Sequence, residues 1–533
     1  MILMTKREAE YKPLLFTTTI RNPQRIKSLL YVLRRYDGQM LTEELSVKII
    51  GELVRFGLYR PRRTSPDIKA KWSSTPSGEF AEYLLTDDEV AYVLKNNPQN
   101  HKEAGFPKGF PSRFATIFDF AKELGFVYYE PGQRIEFSEI GMKYADVLSI
   151  EVSDDGNIIV SERHPEYEQQ AFLHAMCKYQ RNNPFVRVLN DNVPLVLLLQ
   201  TIKKLNADHA FNSTGISRKE LPLLIFWKDN DAETLYKRIK QLRNTYGLNP
   251  SNEVIIDICV NEIMGNFKTF KDKSITDEYP DEFIRKMRLT GLISLRGAGR
   301  FIDINHNEEE KVNYVLAHYA SYKKYTSERE YFNYMAKVDK KLFTITAPTT
   351  SPSQSEQLLK TWLKVFTWDA IKNELAILSK RKASKDDILK FIPSATRLEF
   401  LTALAIKCKL PDVRVIPNYT CDDTGLPTST AGGNIGDIEC LEYDHGVLVE
   451  VTMAEGRTQT IMEVWPIERH LIAFKEKITQ NAQCVFIAPS IYNDTLRQIK
   501  FVKNDSFNII RPYSINDFII YMEHADKLYA ELS

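Results

Sequence analysis

Apolar residues recur at three- and four-residue spacing through most of the first 343 residues, which is the period of an amphipathic helix. The clearest runs cover residues 26–33, 45–56 and 195–205. Further along, a long amphipathic run at 356–380 precedes short apolar runs that are typical of strands. The pattern therefore predicts a mainly α N-terminal part and a mixed α/β C-terminal part.

A stretch rich in proline, serine and threonine separates the two parts. Residues 344–355 include Pro348, Pro352 and few apolar side chains, a composition typical of a linker. At roughly 150 residues per domain, a chain of 533 residues has room for three to four domains. We expect four segments, namely subdomains at 1–150 and 151–343, a linker at 344–356 and a further domain at 357–533.

One pattern occurs twice in the N-terminal part: a helix that ends at a glycine, followed by two short strands joined by a turn. Gly125 follows the helix 114–124, and Gly291 follows the helix 283–290. The predicted strand pairs are 126–129 with 134–137, and 292–295 with 300–304. Helix, glycine and hairpin in this order are typical of a winged helix, so the repeat favours a DNA-binding scaffold. Ordinary helix–hairpin packing and winged helices that bind protein remain the alternatives.

Basic residues support a nucleic-acid partner. Arg134 and Arg300 each stand nine residues after the glycine and open the second strand, where they are candidate phosphate contacts. The whole chain is nearly neutral, with 71 basic and 70 acidic residues, but residues 1–70 hold 14 Lys and Arg against 7 Asp and Glu, an excess of +7. Arg21 and Arg25 lie in this basic segment and are further candidate DNA contacts.

Negative charge gathers in the C-terminal part, where residues 421–470 hold 10 acidic against 2 basic residues, an excess of −8. Asp444-His-Gly446 is a turn signal between two strand-like runs, and a hairpin centred between Tyr443 and Asp444 would set Asp437 opposite Glu450. The Cβ atoms of such a pair lie about 4.5–5.5 Å apart. Opposed carboxylates repel unless a cation lies between them, so the hairpin predicts a site for Mg²⁺, which prefers oxygen ligands.

The segments around this hairpin complete a small α/β domain of helix, hairpin, helix, strand and helix. A helix that begins near Pro393 carries Glu399 within its apolar stripe. Residues 462–470 lead into a second helix, and residues 484–488 form the pattern of a short buried strand. A single acidic residue usually lies on the surface, so the interpretation depends on the group and not on any one member.

Several short motifs agree in order and spacing with one family. They are Asp437, Glu450-Val-Thr452, Met462-Glu463, Pro466, Arg469-His470, Phe486-Ile-Ala-Pro489, Ile509-Ile-Arg-Pro512 and, more loosely, Arg21-Asn-Pro-Gln-Arg-Ile26. The chain resembles the AlwI-like type IIS restriction endonucleases and their strand-nicking relatives. The resemblance implies a PD-(D/E)xK nuclease core in which Asp437 and Glu450 hold the catalytic metal. It also implies that Glu399, Glu463 and His470 are further active-site residues.

The sequence departs from the general nuclease motif at two positions. Gly436 replaces the usual proline before the aspartate, and Thr452 stands where the motif has a lysine. The group that orients the attacking water therefore has more than one candidate. Glu463, His470 or a second metal-bound water could serve, because metal-assisted hydrolysis does not require one particular base.

Compartment and cofactor signals are few. The six cysteines contain no C-x-x-C pair, so we expect buried thiols and no zinc site or disulfide framework. The apolar runs are too short to cross a bilayer and the first residues do not form a signal peptide, so we expect a cytoplasmic protein without membrane contact. The family resemblance implies a prokaryotic source.

The favoured function is a site-specific endonuclease that binds double-stranded DNA at a short asymmetric sequence and cuts at a fixed distance outside it with Mg²⁺. Because one nuclease domain cuts one strand, a transient homodimer or a separate small nuclease subunit would cut the second, and a cognate methyltransferase would belong to the same system. A nicking endonuclease or the large subunit of a heteromeric enzyme is the first alternative. A DNA-binding regulator with an inactive nuclease domain and a junction-specific nuclease are the others.

Overall fold

A computed structural model describes residues 11–16, 20, 22–73, 75–103, 105–186, 188–211, 214–265, 270–346, 351–432 and 435–530. The chain divides into two compact units, Met1–Thr346 and Ala347–Ser533. This boundary lies within the predicted linker 344–356, whereas the predicted division at residue 150 stays a prediction. Among the described residues, no helix has both the length and the apolarity needed to cross a membrane.

Helices dominate the N-terminal unit, in agreement with the apolar spacing of its sequence. The α-helices are α1 (Arg25–Leu33), α2 (Glu43–Arg55), α3 (Pro66–Ser73), α4 (Asp87–Asn96), α5 (Phe110–Glu123), α6 (Glu139–Ala145), α7 (Glu166–Lys178), α8 (Pro194–Ala207), α9 (Leu221–Phe226), α10 (Ala232–Tyr246), α11 (Asn252–Asp257), α12 (Tyr279–Arg288), α13 (Glu309–Tyr319), α14 (Glu328–Ala336) and α15 (Lys340–Thr344). The strands are β1 (Val127–Tyr128), β2 (Glu136–Phe137), β3 (Leu148–Val152), β4 (Ile158–Glu162), β5 (Ile216–Ser217), β6 (Ile293–Arg296) and β7 (Phe301–Ile304).

The first predicted helix–hairpin unit is present, with a longer helix than expected. Helix α5 begins at Phe110, four residues before the predicted start, because Pro111 suits the first helical turn. Gly125 follows with a φ of 74°, and β1 then pairs antiparallel with β2. A bridge between Met40 and Arg134 adds a third segment to this hairpin.

The second unit repeats this order. Gly291 follows α12 with a φ of 77°, and β6 and β7 form the predicted hairpin. Strand β5 pairs with β7, although the sequence analysis did not predict it. Two residues are too few to show the alternation that identifies a strand. Before its helix and hairpin, the first unit thus has a bridge residue and the second a short strand, and their winged-helix assignment stays a prediction.

The C-terminal unit is mixed α/β. Its helices are α16 (Pro352–Trp362), α17 (Trp368–Ser379), α18 (Ser394–Lys409), α19 (Gly456–Met462), α20 (Val464–Lys477), α21 (Asn493–Ser506) and α22 (Ile515–His524). Its strands are β8 (Arg414–Pro417), β9 (Tyr419–Cys421), β10 (Pro427–Ala431), β11 (Ile438–Glu442), β12 (His445–Val451), β13 (Ala482–Ala488) and β14 (Ile510–Ser514).

A five-stranded sheet in the order β14-β13-β12-β11-β8 forms the centre of this unit. Strands β8, β11 and β12 are antiparallel neighbours, whereas β12, β13 and β14 run parallel. Every residue of β13 is buried, as expected for a strand covered on both faces. On one face, Leu448 and Phe486 pack with Leu471 and Phe474 of α20. This packing fixes α20 against the sheet, and α20 carries one of the candidate residues.

The amphipathic run 356–380 lies on two helices, α16 and α17. Helix α16 begins earlier, because Ser351 accepts a hydrogen bond from Gln354 N and Pro352 occupies the first turn. The run breaks after Trp362, and Thr367 then starts α17 by accepting a hydrogen bond from Ala370 N. Capping residues therefore override the apolar period, and part of the predicted linker is helical.

The predicted register of the β11–β12 hairpin is confirmed. Ile438 pairs with Val449, and Glu442 pairs with His445. Tyr443 adopts a φ of 56° in the intervening two-residue turn, as such hairpins require. Continued by one residue, this register sets Asp437 opposite Glu450.

Candidate active site

Two carboxylates stand together at the end of the β11–β12 hairpin. Val451 N donates a hydrogen bond of 2.7 Å to Oδ2 of Asp437, which ties this side chain to the strand that carries Glu450. Burial raises the pKa of Asp437 well above its usual range, and the negative charge of Glu450 raises it further. Burial also raises the pKa of Glu450, with the charge of Glu463 as the second cause. The pair thus bears the electrostatic cost that the sequence predicted.

Gly436 is required by close packing beside this pair. A Cβ atom at this position would lie 2.4 Å from Cδ1 of Leu448 and 2.9 Å from Oε1 of Glu450. A larger residue here would therefore displace the ends of these two side chains. Asn418 holds this segment, since its Nδ2 donates to Gly436 O at 2.7 Å and its backbone N donates to Asp437 O at 2.9 Å. No sequence signal marked Asn418.

Glu399 lies on α18 and faces the same group of charges. Its side chain is buried, and its Oε2 accepts a hydrogen bond of 3.1 Å from Ala431 N. Burial raises the pKa of Glu399 well above its usual range, and Asp437 is the next cause, followed by Glu450. Glu399 is therefore electrostatically coupled to the hairpin carboxylates while it anchors the end of β10.

Glu463 lies between α19 and α20, where Thr452 reaches it from the end of β12. Thr452 Oγ1 donates a hydrogen bond of 2.8 Å to Oε1 of Glu463 and accepts one of 3.0 Å from Ala454 N. Burial raises the pKa of Glu463, whereas the Thr452 hydrogen bond and the charge of His470 oppose this rise. The hydroxyl of Thr452 thus orients this carboxylate.

His470, on α20, contacts the hairpin directly. Its Nδ1 lies 2.9 Å from Oε1 of Glu450, and its side chain is 16% exposed. The histidine is therefore not a residue that only packs in its helix. Contacts link Asp437 to the strand of Glu450, Glu450 to His470, and Thr452 to Glu463, so the structure brings the predicted C-terminal residues together.

Asp437 and Glu450 are the side chains that could hold a metal ion. No three or more His, Cys, Asp or Glu side chains of the described residues form a ready-made metal cluster. Mg²⁺ usually takes only one or two protein carboxylates, and water and phosphate complete its shell. Asp437 and Glu450 supply that number, and their raised pKa values reflect burial and repulsion that a cation would relieve. The residues fit a divalent cation.

The predicted DNA contacts differ in their surroundings. Arg21 lies outside the described residues. Arg25 is only partly exposed, and its Nη2 donates to Leu58 O at 3.3 Å, so this side chain turns into the protein. Arg134 and Arg300 are exposed on their hairpins, where they donate to the carbonyls of Gly38 and Gly297. Of the three candidates that the structure describes, Arg134 and Arg300 have the exposure that a phosphate contact needs, and Arg25 does not.

Gln459 is a further residue that the sequence analysis missed. It is fully buried on α19, and its Nε2 donates to Ala454 O at 3.0 Å and to Ser490 O at 2.9 Å. Its Oε1 accepts a hydrogen bond of 2.9 Å from Tyr492 N. It thus ties the loops after β12 and β13 together. A single glutamine in a short helix gives no periodic signal for this role.

Comparison with known proteins identifies the family. The model of the AlwI restriction endonuclease family matches residues 123–367 and 359–520, which is more than half of the chain. No curated protein matches. Among solved structures, the small subunit of the heterodimeric restriction endonuclease R.BspD6I is 22% identical over 30% of this chain and 78% of that chain, with a TM-score of 0.25. The restriction endonuclease FokI bound to DNA is 12% identical over 97% of this chain and 96% of that chain, with a TM-score of 0.22.

Both TM-scores are too low to support an argument, so the assignment depends on the family match alone. That match includes the hairpin with Asp437 and Glu450, together with Glu399, Glu463 and His470. The chain belongs to the AlwI restriction endonuclease family.

Proposed function

We propose that this chain is a type IIS site-specific deoxyribonuclease that recognises a short asymmetric duplex sequence and cuts outside it with Mg²⁺. The observation that carries the proposal is the contact of Glu450 with His470, beside Asp437, in a member of a restriction endonuclease family. Two compact units support it further, because separate recognition and cleavage units place the cut away from the recognised sequence.

Asp437 and Glu450 would hold the metal in a PD-(D/E)xK-type core. Bound there, Mg²⁺ would supply Lewis-acid stabilisation of the charge that develops on the phosphoryl oxygens. His470 fixes the Glu450 carboxylate through its 2.9 Å contact. Val451 N fixes the Asp437 carboxylate at 2.7 Å. The protein thus orients both carboxylates before DNA arrives, which lowers the reorganisation needed in the reaction.

Glu463 is the proposed acceptor of the proton of the attacking water. Thr452 occupies its Oε1, which leaves the other carboxylate oxygen for water. Burial raises the pKa of Glu463 and so makes this carboxylate a stronger proton acceptor than an exposed one. In this step the water oxygen bonds to phosphorus and the water proton passes to Glu463, while the bond from phosphorus to the leaving oxygen breaks and that oxygen takes a proton from a solvent water. Glu399 keeps the β10 end beside the site.

The N-terminal unit is the proposed recognition part, with its two helix–hairpin units acting as winged helices. In each unit a short strand or bridge adds to the hairpin, which gives the three-segment sheet of that motif. Arg134 and Arg300 are exposed at the two hairpins and would contact DNA phosphates.

The number of strands cut depends on partners, because one candidate site cuts one strand. A transient homodimer or a separate small nuclease subunit would cut the second strand, and a nicking endonuclease is the second candidate function. The retained Asp437, Glu450 and Glu463 support an active nuclease over a regulator with an inactive domain. A cognate methyltransferase would protect the DNA of a prokaryotic host in whose cytoplasm the enzyme acts.

Plasmid cleavage tests this function. The purified chain is incubated with supercoiled plasmid and Mg²⁺, and every new end is mapped by sequencing. We expect nicked or linear product whose ends lie at one fixed distance from one asymmetric sequence, and no product with EDTA. Ends scattered without a common sequence would contradict site-specific recognition, and an uncut plasmid would contradict the nuclease assignment.

A further inference from the structure

Most of the described cations among residues 1–70 already have ion-pair or hydrogen-bond partners within the protein. Arg60 donates to oxygen atoms of four residues in its own fold. Lys27 forms ion pairs with two glutamates at 2.5 and 2.9 Å, and Arg55 pairs with Glu52 and Asp87. DNA would have to displace these partners, so the charge excess of the segment does not by itself locate a phosphate-binding surface.

Five other cations have no such partner. Their side chains are exposed and form no ion pair or side-chain hydrogen bond within the part of the chain that the structure describes. They are Arg62, Arg63, Lys95, Lys102 and Lys108. Glu103, the nearest acidic residue in sequence, contacts His101 at 3.0 Å. A group of like charges without local compensation repels itself and attracts a polyanion.

Hydrogen bonds hold the segments that carry these five residues next to one another at the start of α5. Asn97 ends α4, accepts a bond of 3.0 Å from Arg63 N and donates one of 2.7 Å to Arg63 O. Gln99 Nε2 donates to Asn97 O at 2.8 Å, and Gln99 Oε1 accepts two bonds from Arg113 of α5. Gly109 N closes the loop by donating to His101 O at 3.0 Å.

These bonds place residues 62–63, 95–102 and 108–113 side by side, although they are apart in the sequence. Lys102 follows His101, and Lys108 precedes Gly109, so both lysines stand where the loop closes. The loop bonds are between uncharged groups or involve Arg113, and they leave the five exposed cations unused. The surface therefore combines fixed backbone positions with free positive charge, which suits the regularly spaced phosphates of a duplex.

We propose that Arg62, Arg63, Lys95, Lys102 and Lys108, the α5 basic surface, bind the phosphate backbone of duplex DNA. The inference rests on the proposed function, because it takes the polyanion to be the DNA substrate. It adds a surface to the sequence-based candidates, which were Arg21, Arg25, Arg134 and Arg300. The surface contacts phosphates and not bases. It therefore contributes to the affinity and orientation of the bound DNA and not to the choice of sequence.

Salt-dependent binding of the full chain tests the proposal. A short fluorescent duplex of random sequence is titrated in EDTA, which prevents cleavage, at several salt concentrations. The variants are Arg62→Gln with Arg63→Gln, and Lys102→Gln with Lys108→Gln. The plot of the logarithm of the association constant against the logarithm of salt concentration falls, and each lost phosphate contact makes its slope shallower by about 0.9. We expect each double variant to make the slope shallower by about 2 and to melt at the wild-type temperature.

Lys271→Gln with Lys273→Gln is the matched control, because both lysines are exposed in the same unit and the change in net charge is equal. The control should retain the wild-type slope. If the surface variants match the control, the α5 basic surface is not a DNA contact even when the protein cleaves DNA. A single-stranded RNA of the same length is titrated in parallel. If the surface variants lose affinity for this RNA but bind the duplex like the control, the surface binds RNA and not duplex DNA. If the wild-type chain does not bind duplex DNA, the proposed function and this inference both fail.

Discussion

Nδ1 of His470 lies 2.9 Å from Oε1 of Glu450, so a residue of α20 directly fixes a side chain of the central sheet. Loss of a group that orients a metal ligand typically costs 10–100-fold in metal affinity or activity. His470→Ala should therefore raise the Mg²⁺ concentration needed for half-maximal single-turnover cleavage by roughly 10–100-fold. The rate at saturating Mg²⁺ should recover in part.

His470→Gln is the companion variant, because its amide can still donate to Glu450. It should lie between wild type and His470→Ala in Mg²⁺ requirement. Thermal melting without metal separates this role from packing. An alanine variant that melts early but keeps the wild-type Mg²⁺ dependence would show that His470 serves only to pack α20.

Glu450→Gln should abolish cleavage, leave duplex binding intact and raise the melting temperature in EDTA. Burial and like charge raise the pKa of Glu450 and Asp437. Carboxyls with raised pKa stabilise the fold at low pH, and this contribution is lost as pH rises through the raised values. The metal-free protein should therefore melt at lower temperature as pH rises, and the variant should show a weaker dependence.

Glu439→Gln is the control for this prediction, since Glu439 lies on the same hairpin and pairs with Lys477 at 3.2 Å. It should cleave normally and keep the wild-type pH dependence of melting. Mg²⁺ should stabilise the wild type and this control but not Glu450→Gln. Wild-type cleavage by Glu450→Gln would exclude Glu450 as a metal ligand.

The hairpin could be read from sequence because a two-residue turn leaves one register that sets Asp437 against Glu450. The helices 26–33, 45–56 and 195–205 likewise had clear apolar periods, and they correspond to α1, α2 and α8. The apolar spacing alone predicts which face of each helix is buried. These parts of the fold and the central carboxylate pair were predictable for local reasons.

The remaining features depend on contacts between distant segments. Gly436 is needed because Leu448 and Glu450 approach its backbone, and Thr452 meets Glu463 only once α19 has turned the chain. Arg25 turns inward to Leu58 although its sequence context is that of a surface cation. Spacing along a chain does not report such approaches, so neither these contacts nor strand β5 could be predicted.

Thr452→Val and Thr452→Ser separate shape from hydrogen bonding at the lysine position of the motif. Valine keeps the volume but cannot donate to Glu463, whereas serine keeps the 2.8 Å donor. Thr452→Val should slow single-turnover cleavage by roughly 10–100-fold with unchanged DNA affinity, as for other groups that orient an active-site residue. Thr452→Ser should restore most of the rate. Equal rates for both variants would remove Thr452 from the positioning of Glu463.

Asp119 predicts a pH dependence of the N-terminal unit that is independent of metal. Burial raises the pKa of Asp119 from 3.8 to about 7, although Tyr129 donates to its Oδ1 at 3.2 Å. A carboxyl with a raised pKa stabilises the fold below its unfolded value, and this contribution is lost as pH rises through about 7. Asp119→Asn should therefore melt higher than wild type at pH 8, where wild-type Asp119 is charged. A wild-type pH profile in the variant would refute the assignment.

Cutting the chain after Thr346 should separate DNA binding from hydrolysis. The boundary between the two compact units lies after this residue. The cut must follow α15 because the buried Leu342 belongs to the N-terminal unit. A fragment of residues 1–346 should bind the cognate duplex with strong salt dependence, because phosphate contacts release counterions. The fragment 347–533 should lack sequence preference. Anisotropy titrations with cognate and scrambled duplexes measure both. A folded 1–346 fragment without preference for the cognate duplex would place recognition elsewhere in the chain.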